Sequence, residues 1–370
     1  MLFQTFFESN NIFLLHEKNT FIRIYSYLFN KIPNNKKLLN NFLYSYLIKY
    51  FLFLSRKLFL LYANYRLQRN KYKYLKAGIK NTNFKFLIRD TNSQFHSIYF
   101  PSYSNSYEPD VEFSILKLLP EKGVFLDIGS NWGHHSIFAN YIKSAKVICF
   151  EPNPLVFDDL EKCFSQISFD KKAEIYNSGL SIKKGKNIKL FHNGFETGIS
   201  TYKNELLISR PKKLKSPKIL RKFQNFYKTF GNYLNIKANN SNYFFTDIRT
   251  LDSFNFAKVD LIKIDAEGNE LEILKGGKET LQKLRPFMIF EFYKLKNTIN
   301  EYIEFLDNIS YTIVKLNYSK GKQKNQFVIE GMILDLKSSN NYEIYNSDQY
   351  NLIACPNEKL KNQFINLVQN

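Results

Sequence analysis

Val124-Phe-Leu-Asp127-Ile-Gly129-Ser-Asn131-Trp-Gly133 is an apolar run that ends in an acid and a glycine-rich turn. A helical pattern follows, and about 20 residues on, a second apolar run, Ile148-Cys-Phe-Glu151-Pro152, ends in another acid. Together they form the first half of a nucleotide-binding βαβ unit. Glycines permit the sharp turn and a close approach of backbone to ligand. The acid that closes the second strand stands where a ribose diol would donate its paired hydrogen bonds. An adenosine-containing cofactor is therefore expected.

The turn narrows the choice of cofactor. A dinucleotide fold normally spells G-x-G-x-x-G, because a pyrophosphate nestles against backbone N–H groups at the helix start. Here Gly129 and Gly133 give G-x-x-x-G, with Asp127 two residues ahead of the first glycine. A carboxylate at that point repels a pyrophosphate and suits a cation, such as the ammonium or sulfonium of S-adenosylmethionine. An ordinary βα turn in some other α/β protein is the plainer alternative. The missing third glycine disfavours a nicotinamide dehydrogenase.

A second constellation reads as a buried strand, an acidic turn and a helix: Val259-Asp-Leu-Ile-Lys-Ile-Asp265-Ala-Glu267-Gly268-Asn-Glu270-Leu-Glu-Ile-Leu-Lys275-Gly276-Gly277. Arg249-Thr-Leu-Asp252 precedes it, and another strand, Phe287-Met-Ile-Phe-Glu291, follows. With D-I-G-S-N-W-G at 127–133, F-E-P at 150–152, T-L-D at 250–252 and I-K-I-D-A-E-G-N-E-L-E-I-L-K-G at 262–276, the chain resembles the FkbM family of S-adenosylmethionine-dependent methyltransferases. Tyr107-Glu108-Pro109 looks like that family's lead-in segment. The resemblance covers roughly residues 84–355, is most specific in the I-K-I-D-x-E-G-x-E run, and is poor between the second and third blocks, where a long insertion intervenes.

The remaining elements alternate as a doubly wound sheet requires. Phe84–Arg89 and Ser97–Phe100 read as a hairpin ahead of the core. A helix over 110–119 stops at Pro120. Core strands are expected at 124–128, 146–151, 173–177, 260–265 and 287–292, with helices at 133–143, 154–166, 269–284 and 298–308. Pro152 and Pro154 open the second of these helices, where proline is tolerated. Late strands at Thr312–Leu316 and Phe327–Leu336 follow. The expected α/β fold is mostly parallel with one antiparallel strand. The resemblance makes it a seven-stranded, class I methyltransferase-like (Rossmann-like) sheet with an α-helical N-terminal extension. The expected division is an aromatic and basic extension over 1–80 and a methyltransferase domain over 81–370, carrying a basic insertion at about 203–242.

The chain has 370 residues, which suits one large catalytic domain with additions. Its net charge of +20 has two explanations. Lys, Asn, Ile, Phe and Tyr are all abundant, as an AT-rich coding sequence would make them. Attraction to anionic glycans, lipids or nucleic acid is the other. No specific nucleic-acid module is recognisable. Three widely spaced cysteines, Cys149, Cys163 and Cys355, without C-x-x-C, argue against a disulfide framework or structural zinc and favour a reducing, cytoplasmic compartment. The N-terminus lacks the basic region and cleavage site of a signal peptide.

Between Asn41 and Lys73, Leu43, Leu47, Tyr50, Leu54, Leu58, Leu61 and Tyr65 recur at helical spacing. Such a helix packs on the catalytic domain or a second subunit, or lies on the inner face of an anionic membrane. Lys49, Arg56 and Lys57 interrupt it as a bilayer span. From Arg210 the chain is strongly basic and proline-punctuated, then aromatic from Phe223 to Tyr233. This insertion reads as a lid, an acceptor-binding loop or a solvated excursion.

Chemistry belongs beyond the carboxyl edge of the sheet. Asp127 would lie under the methionine moiety or reach it through water, with Gly129, Asn131 and Gly133 forming the turn. Glu151 would grip both ribose hydroxyls. Asn177 would offer its amide to the adenine edge, a part that Ser178 or backbone groups would serve equally. Asp265 is favoured as base or acceptor orienter, with Glu267 and Glu291 as supports or ligands of a divalent metal. Glu267 reads alternatively as a charge complement to the next helix. His134 and His135 directly follow the turn, and His135 is a second candidate base, against the plainer reading of a helix-start histidine that packs or hydrogen-bonds. Trp132 walls the pocket or covers the helix.

The expected activity is methyl transfer from S-adenosylmethionine, most consistent with an oxygen acceptor. The resemblance implies hydroxyls of sugars or polyketide-like molecules, and a small-molecule or glycan acceptor handled near the inner membrane face is favoured. A nucleic-acid (RNA) methyltransferase and a catalytically silent, cofactor-binding scaffold are the alternatives. The sequence leaves the oligomeric state and the need for metal open.

Overall fold

The structure, a computed structural model, describes residues 12–15, 74–79, 85–92, 94–95, 108–167, 169, 173–193, 196–201, 241–293, 299–320, 327–334 and 349–360. They fall into two units, one drawn from 1–107, 165–167 and 190–244 and the other from 108–164, 168–189 and 245–370.

In the first unit, β1 (Ile12–Leu15), β2 (Tyr74–Ile79) and β3 (Lys85–Arg89) make an antiparallel sheet in that order. The strand expected at Phe84–Arg89 is β3. Its described partner is β2, and Ser97–Phe100, the expected hairpin mate, lies outside the described residues. So do the helical pattern of 41–73 and all of the 203–242 insertion except its last two residues.

The second unit carries the site. Helix α1 (Pro109–Leu118) opens with Pro at its first position and with Asp110 and Glu112 in its first turn, where the helix dipole favours both. Then come β4 (Val124–Ile128), α2 (His134–Lys143), β5 (Lys146–Phe150), α3 (Pro154–Ser165) and β6 (Glu174–Tyr176). Two residues further on, β7 (Gly179–Leu180) pairs in parallel with the end of a later strand. The chain passes through β8 (Gly185–Asn193) and β9 (Glu196–Thr201), which pair antiparallel over residues of the first unit, before that later strand, β10 (Ser241–Arg249), ends in the second. The rest of the unit is β11 (Leu261–Ile264), α4 (Glu270–Lys275), α5 (Lys278–Leu284), β12 (Phe287–Tyr293), α6 (Ile299–Asp307), β13 (Tyr311–Lys320), β14 (Phe327–Leu334) and β15 (Gln349–Pro356).

The main sheet has the order β14-β13-β15-β12-β11-β4-β5-β6. Strands β6, β5, β4, β11 and β12 are mutually parallel, and β15 runs antiparallel between β12 and β13. Those seven strands with one reversed are the expected class I methyltransferase-like sheet. An eighth strand, β14, extends the edge antiparallel to β13. β15 had no strong sequence pattern, yet it fills the slot between β12 and β13.

Central strands β4, β5 and β11 are buried almost throughout, as expected for a sheet covered on both faces. Leu126, Ile148, Ile262, Ile264, Met288 and Phe290 form the middle of one core with Leu271, Leu274 and Leu281 of the covering helices.

The helix expected over 269–284 is two helices. Gly276 and Gly277 break it, for a packing reason. A Cβ on Gly276 would stand 2.2 Å from the Ser181 carbonyl oxygen, and one on Gly277 would stand 2.6 Å from the Leu251 side chain. Asp252 then caps α5 from outside, its carboxylate accepting the N–H groups of Glu279 (3.2 Å) and Thr280 (2.8 Å). The T-L-D motif is thus architectural.

Candidate functional site

After β6 the chain returns to place β11 beside β4. The switch point of the sheet therefore lies between those two strands, with their carboxyl ends facing the same crevice. Register determines what meets there. Asp127 pairs with Cys149 on one side and Lys263 on the other, and Lys263 pairs with Ile289. Strand alternation puts the next residues on this face two positions later: Glu151, Gly129, Asp265 and Glu291. The ladder continues into this row, with Gly129 N–H donating to Phe150 O (2.9 Å) and Asp265 N–H to Ile128 O (2.9 Å).

Gly129 is needed at its place. Its φ is +76°, and a Cβ would lie 1.8 Å from the Asp265 carbonyl oxygen. Strand ends β4 and β11 pinch together there, and only hydrogen fits. Gly133, at φ +92°, starts α2 under the ring of Phe164, which a Cβ would meet at 2.4 Å. Asn131 is also left-handed (φ 51°) and turns its side chain to accept the Trp132 N–H at 2.9 Å.

Glu151 is buried, and both its oxygens are anchored by backbone. Asn131 N–H donates to Oε2 (3.1 Å) and Asn153 N–H to Oε1 (2.9 Å). Burial is the larger influence on its acidity and overrides these two hydrogen bonds, raising its pKa to about 7. Each carboxylate oxygen still has a lone pair to offer. Asn177 Nδ2–H donates to the Glu151 carbonyl (2.9 Å), which ties the end of β6 to the β5–α3 turn beside the crevice. Nearby, the buried Ser178 hydroxyl and the Asn153 side-chain amide nitrogen have no hydrogen-bond partner among the described residues.

Asp127 is fully buried below the crevice row. Ser136 of α2 donates its hydroxyl to Oδ2 at 2.7 Å, and the Lys263 ammonium stands 3.9 Å from Oδ1. Desolvation raises its pKa, against the pull of Lys263 and Ser136. Lys263 is 3% exposed and donates to Asp265 Oδ2 at 3.3 Å. Burial opposes its charge, but Asp265, Asp127 and Glu108 prevail and hold the ammonium more firmly protonated than an ordinary lysine.

The acidic turn is built from within. Glu270 is buried, and its Oε1 accepts the N–H groups of Ala266 and Gly268, both at 2.9 Å. Glu267 and Gly268 turn through φ 49° and 91°, which presents Asp265 and Glu267 half-exposed at the edge. Desolvation raises the Glu270 pKa to about 7 in spite of these donors. Glu291 is half-buried opposite Asn351 of β15. Among the described residues no group of three or more His, Cys, Asp or Glu is gathered to hold a metal ion.

His134 and His135 open α2 against α1. His134 Nε2 is 3.0 Å from Glu112 Oε1, and the buried His135 has its Nε2 3.5 Å from Glu108 Oε2. Desolvation, with Lys263 and His134 adding to it, keeps His135 well below the usual imidazole range and therefore neutral. Trp132 is fully buried and packs beside His134, the ring centroids 5.6 Å apart.

Thus Asp127, Gly129, Asn131, Gly133, Glu151 and Asp265 come together at the β4–β5–β11 ends, with Glu291 in the same row. Lys263 and Glu270 were missed as functional candidates. Lys263 left a signal: a lone cation in the buried run Leu-Ile-Lys-Ile, two residues from Asp265 and so on its face. Glu108 was noted only as part of a lead-in motif.

No curated protein matches the chain. Among solved structures it is similar to the methyltransferase FkbM from Methylobacillus flagellatus KT, at 15% identity and TM-score 0.33, over 54% of this chain and 40% of that one. It thus spans less than half of that protein's length. It is also similar to a precorrin-6y C5,15-methyltransferase from Geobacter metallireducens GS-15, at 14% identity and TM-score 0.31, over 66% and 84% of the two chains. A third is an rRNA methylase from Streptococcus thermophilus, at 11% identity and TM-score 0.32, over 67% and 93%. The family described as Methyltransferase FkbM domain matches residues 127–319, more than half of the chain and the stretch holding both acidic turns. The chain belongs to the FkbM family of S-adenosylmethionine-dependent methyltransferases.

Proposed function

We propose that this protein methylates an oxygen, the acceptor being a hydroxyl of a sugar, glycan or related small molecule. The observation that carries the proposal is the crevice row itself, in which Glu151, Gly129, Asp265 and Glu291 line adjoining strand ends. At one end a doubly anchored carboxylate waits for donors, and at the other a half-exposed carboxylate is held by a buried ammonium.

The site fits the cofactor. Glu151 has both oxygens fixed by backbone and lone pairs to spare, which suits two adjacent ribose hydroxyls. Ser178 and Asn153 bring buried polar atoms that lack partners among the described residues. Gly129 lets the ends of β4 and β11 close together, where a Cβ would lie 1.8 Å from the Asp265 carbonyl oxygen. When bound, S-adenosylmethionine supplies a methyl carbon already activated by its sulfonium.

The protein's own task is then alignment and proton removal. In this reading Asp265 accepts the acceptor's hydroxyl proton, with Glu267 and Glu291 as its supports. His135, held neutral with its Nε2 3.5 Å from Glu108 Oε2, is the second candidate base. No helix among the described residues is long and apolar enough to cross a membrane.

The test begins with calorimetric titration of S-adenosylhomocysteine into wild type and Glu151→Ala. Binding in the micromolar range that collapses in the variant is expected. Methyl transfer from labelled cofactor is then measured against panels of glycans, polyols and RNA. Ether-stable label on a glycan or polyol supports the proposal. Label confined to RNA, or tight cofactor binding with no label on any component of a cell extract, replaces it with a nucleic-acid enzyme or a silent scaffold.

A further inference from the structure

We propose that Lys263 is a specificity-determining residue whose buried ammonium sets the electrostatic potential of the cofactor crevice, and so its preference between a cationic methyl donor and the neutral thioether product. The inference rests on the cofactor reading above and carries it from which molecule binds to how its two charge states are told apart.

Lys263 lies within the sheet, one row below the crevice. It stands 3.3 Å from Asp265 Oδ2 and 3.9 Å from Asp127 Oδ1, with Glu108, the residue that precedes α1, acting on it as a third anion. From α2, His134 and His135 face the same corner, and His135 is held neutral. The corner therefore contains one fixed cation among three carboxylates. Without that cation, the edge of the sheet would present an uncompensated anionic field to anything bound across Gly129.

Stability does not require this arrangement. A buried ion pair repays its desolvation only when its hydrogen bonds are complete, and apolar side chains of similar volume are often equal or better. This one is incomplete. Of the three N–H donors of the ammonium, a single one is used among the described residues, and Asp127 Oδ1 has no hydrogen-bond partner there. Lys263 thus keeps its charge while satisfying its neighbours only in part, which suits a charge that acts on a ligand. A sulfonium gains from the carboxylates and loses from Lys263, whereas a neutral thioether feels neither to first order. The ammonium moderates retention of the donor relative to the product, and removing it tilts the crevice toward the cation.

The experiment is titration calorimetry of S-adenosylmethionine and S-adenosylhomocysteine, each alone, into wild type, Lys263→Met, Asp127→Asn and the charge-balanced double variant Lys263→Met/Asp127→Asn. Folding is checked by circular dichroism. The readout is the ratio of the two affinities, because a purely structural lesion weakens both ligands alike. Lys263→Met is expected to raise the donor-to-product ratio about tenfold, as Coulomb's law gives for one unit charge on the order of 10 Å away at an effective dielectric near 20. Asp127→Asn should lower the ratio by a similar factor, and the double variant should return it to near the wild-type value. A folded Lys263→Met with an unmoved ratio overturns the proposal. If Lys263→Met does not fold, an unmoved ratio in Asp127→Asn, or a double variant that keeps the full Asp127→Asn shift, overturns it equally. Failure of the wild type to bind either ligand would instead remove the cofactor reading itself.

Discussion

Acidifying the solution should loosen the cofactor through one residue, Glu151. Its carboxylate is buried, and burial raises its pKa to about 7. Only the ionised form can accept two backbone N–H groups and two ribose hydroxyls at once, because the protonated acid turns one oxygen into a donor. With a pKa of about 7, roughly nine-tenths of Glu151 is ionised at about pH 8 and roughly one-tenth at about pH 6. Affinity for S-adenosylhomocysteine should therefore fall about tenfold between them, or about 1.4 kcal/mol. Calorimetric titrations in steps from about pH 8.5 to about 5.5 follow it, and the slope should approach one proton per molecule below about pH 7. Glu151→Gln imitates the protonated acid: its amide nitrogen must face the N–H of Asn131 or Asn153, so binding is weak at every pH and the slope disappears. Glu270 also titrates near 7 and needs its own control. In Glu270→Gln the side-chain carbonyl can still accept from Ala266 and Gly268, since both donate to a single oxygen. That variant should keep the wild-type slope. A wild-type affinity that stays flat across the range, or a slope that survives in Glu151→Gln, would refute the assignment of the ribose grip.

Three further outcomes follow from the same geometry. Glu270 has a folded pKa raised from 4.5 to about 7, so its contribution to stability is fully present below about 4.5 and lost as pH rises through about 7. Chemical denaturation should therefore show Glu270→Gln gaining on wild type by up to about 3 kcal/mol as pH rises from about 5 to about 8. Gly129→Ala forces a Cβ to 1.8 Å from the Asp265 carbonyl oxygen at φ +76°. The pinched strand ends must part, at a cost of about 3 kcal/mol or more, and thermal melting together with titration should show both stability and cofactor binding reduced. Asp252→Ala releases the N–H groups of Glu279 and Thr280 at the start of α5. It should cost about 1–2 kcal/mol in denaturant unfolding while leaving cofactor affinity within about twofold.

The strand–turn–helix units around Gly129 and Asp265 could be read from the sequence because local chemistry and tertiary role coincide there. Buried parallel strands need unbroken apolar runs, and the turns need glycine where φ is positive or backbones touch. What escaped depends on distant partners. The helix after Glu270 looked continuous, since a glycine pair inside a helical pattern carries only a mild propensity cost. The groups that require those glycines, the Ser181 backbone for Gly276 and the Leu251 side chain for Gly277, are distant in sequence. β15 was invisible for a related reason: its place between β12 and β13 comes from pairing on both sides rather than from its own alternation. Asn177 was recognised as a strand-end amide, but its partner, the Glu151 carbonyl, is a backbone group that leaves no mark in the residue pattern.

The same distinction separates the two ends of the site. Glu151 is gripped by two backbone N–H groups whose positions follow from the turn itself, so its aim is a property of the local fold. Asp265 has its carboxylate steered by one side chain, Lys263, from the row beneath, while Glu270 fixes the backbone that follows it. The end proposed for the cofactor is therefore held by backbone and the end proposed for the acceptor through side chains and charge. A substitution that leaves the backbone intact, such as Lys263→Met, should change what the crevice prefers before it changes whether the crevice exists. On the proposed roles, substitutions in the buried row below the site shift the preference of the crevice while the backbone-held Glu151 carboxylate stays in place.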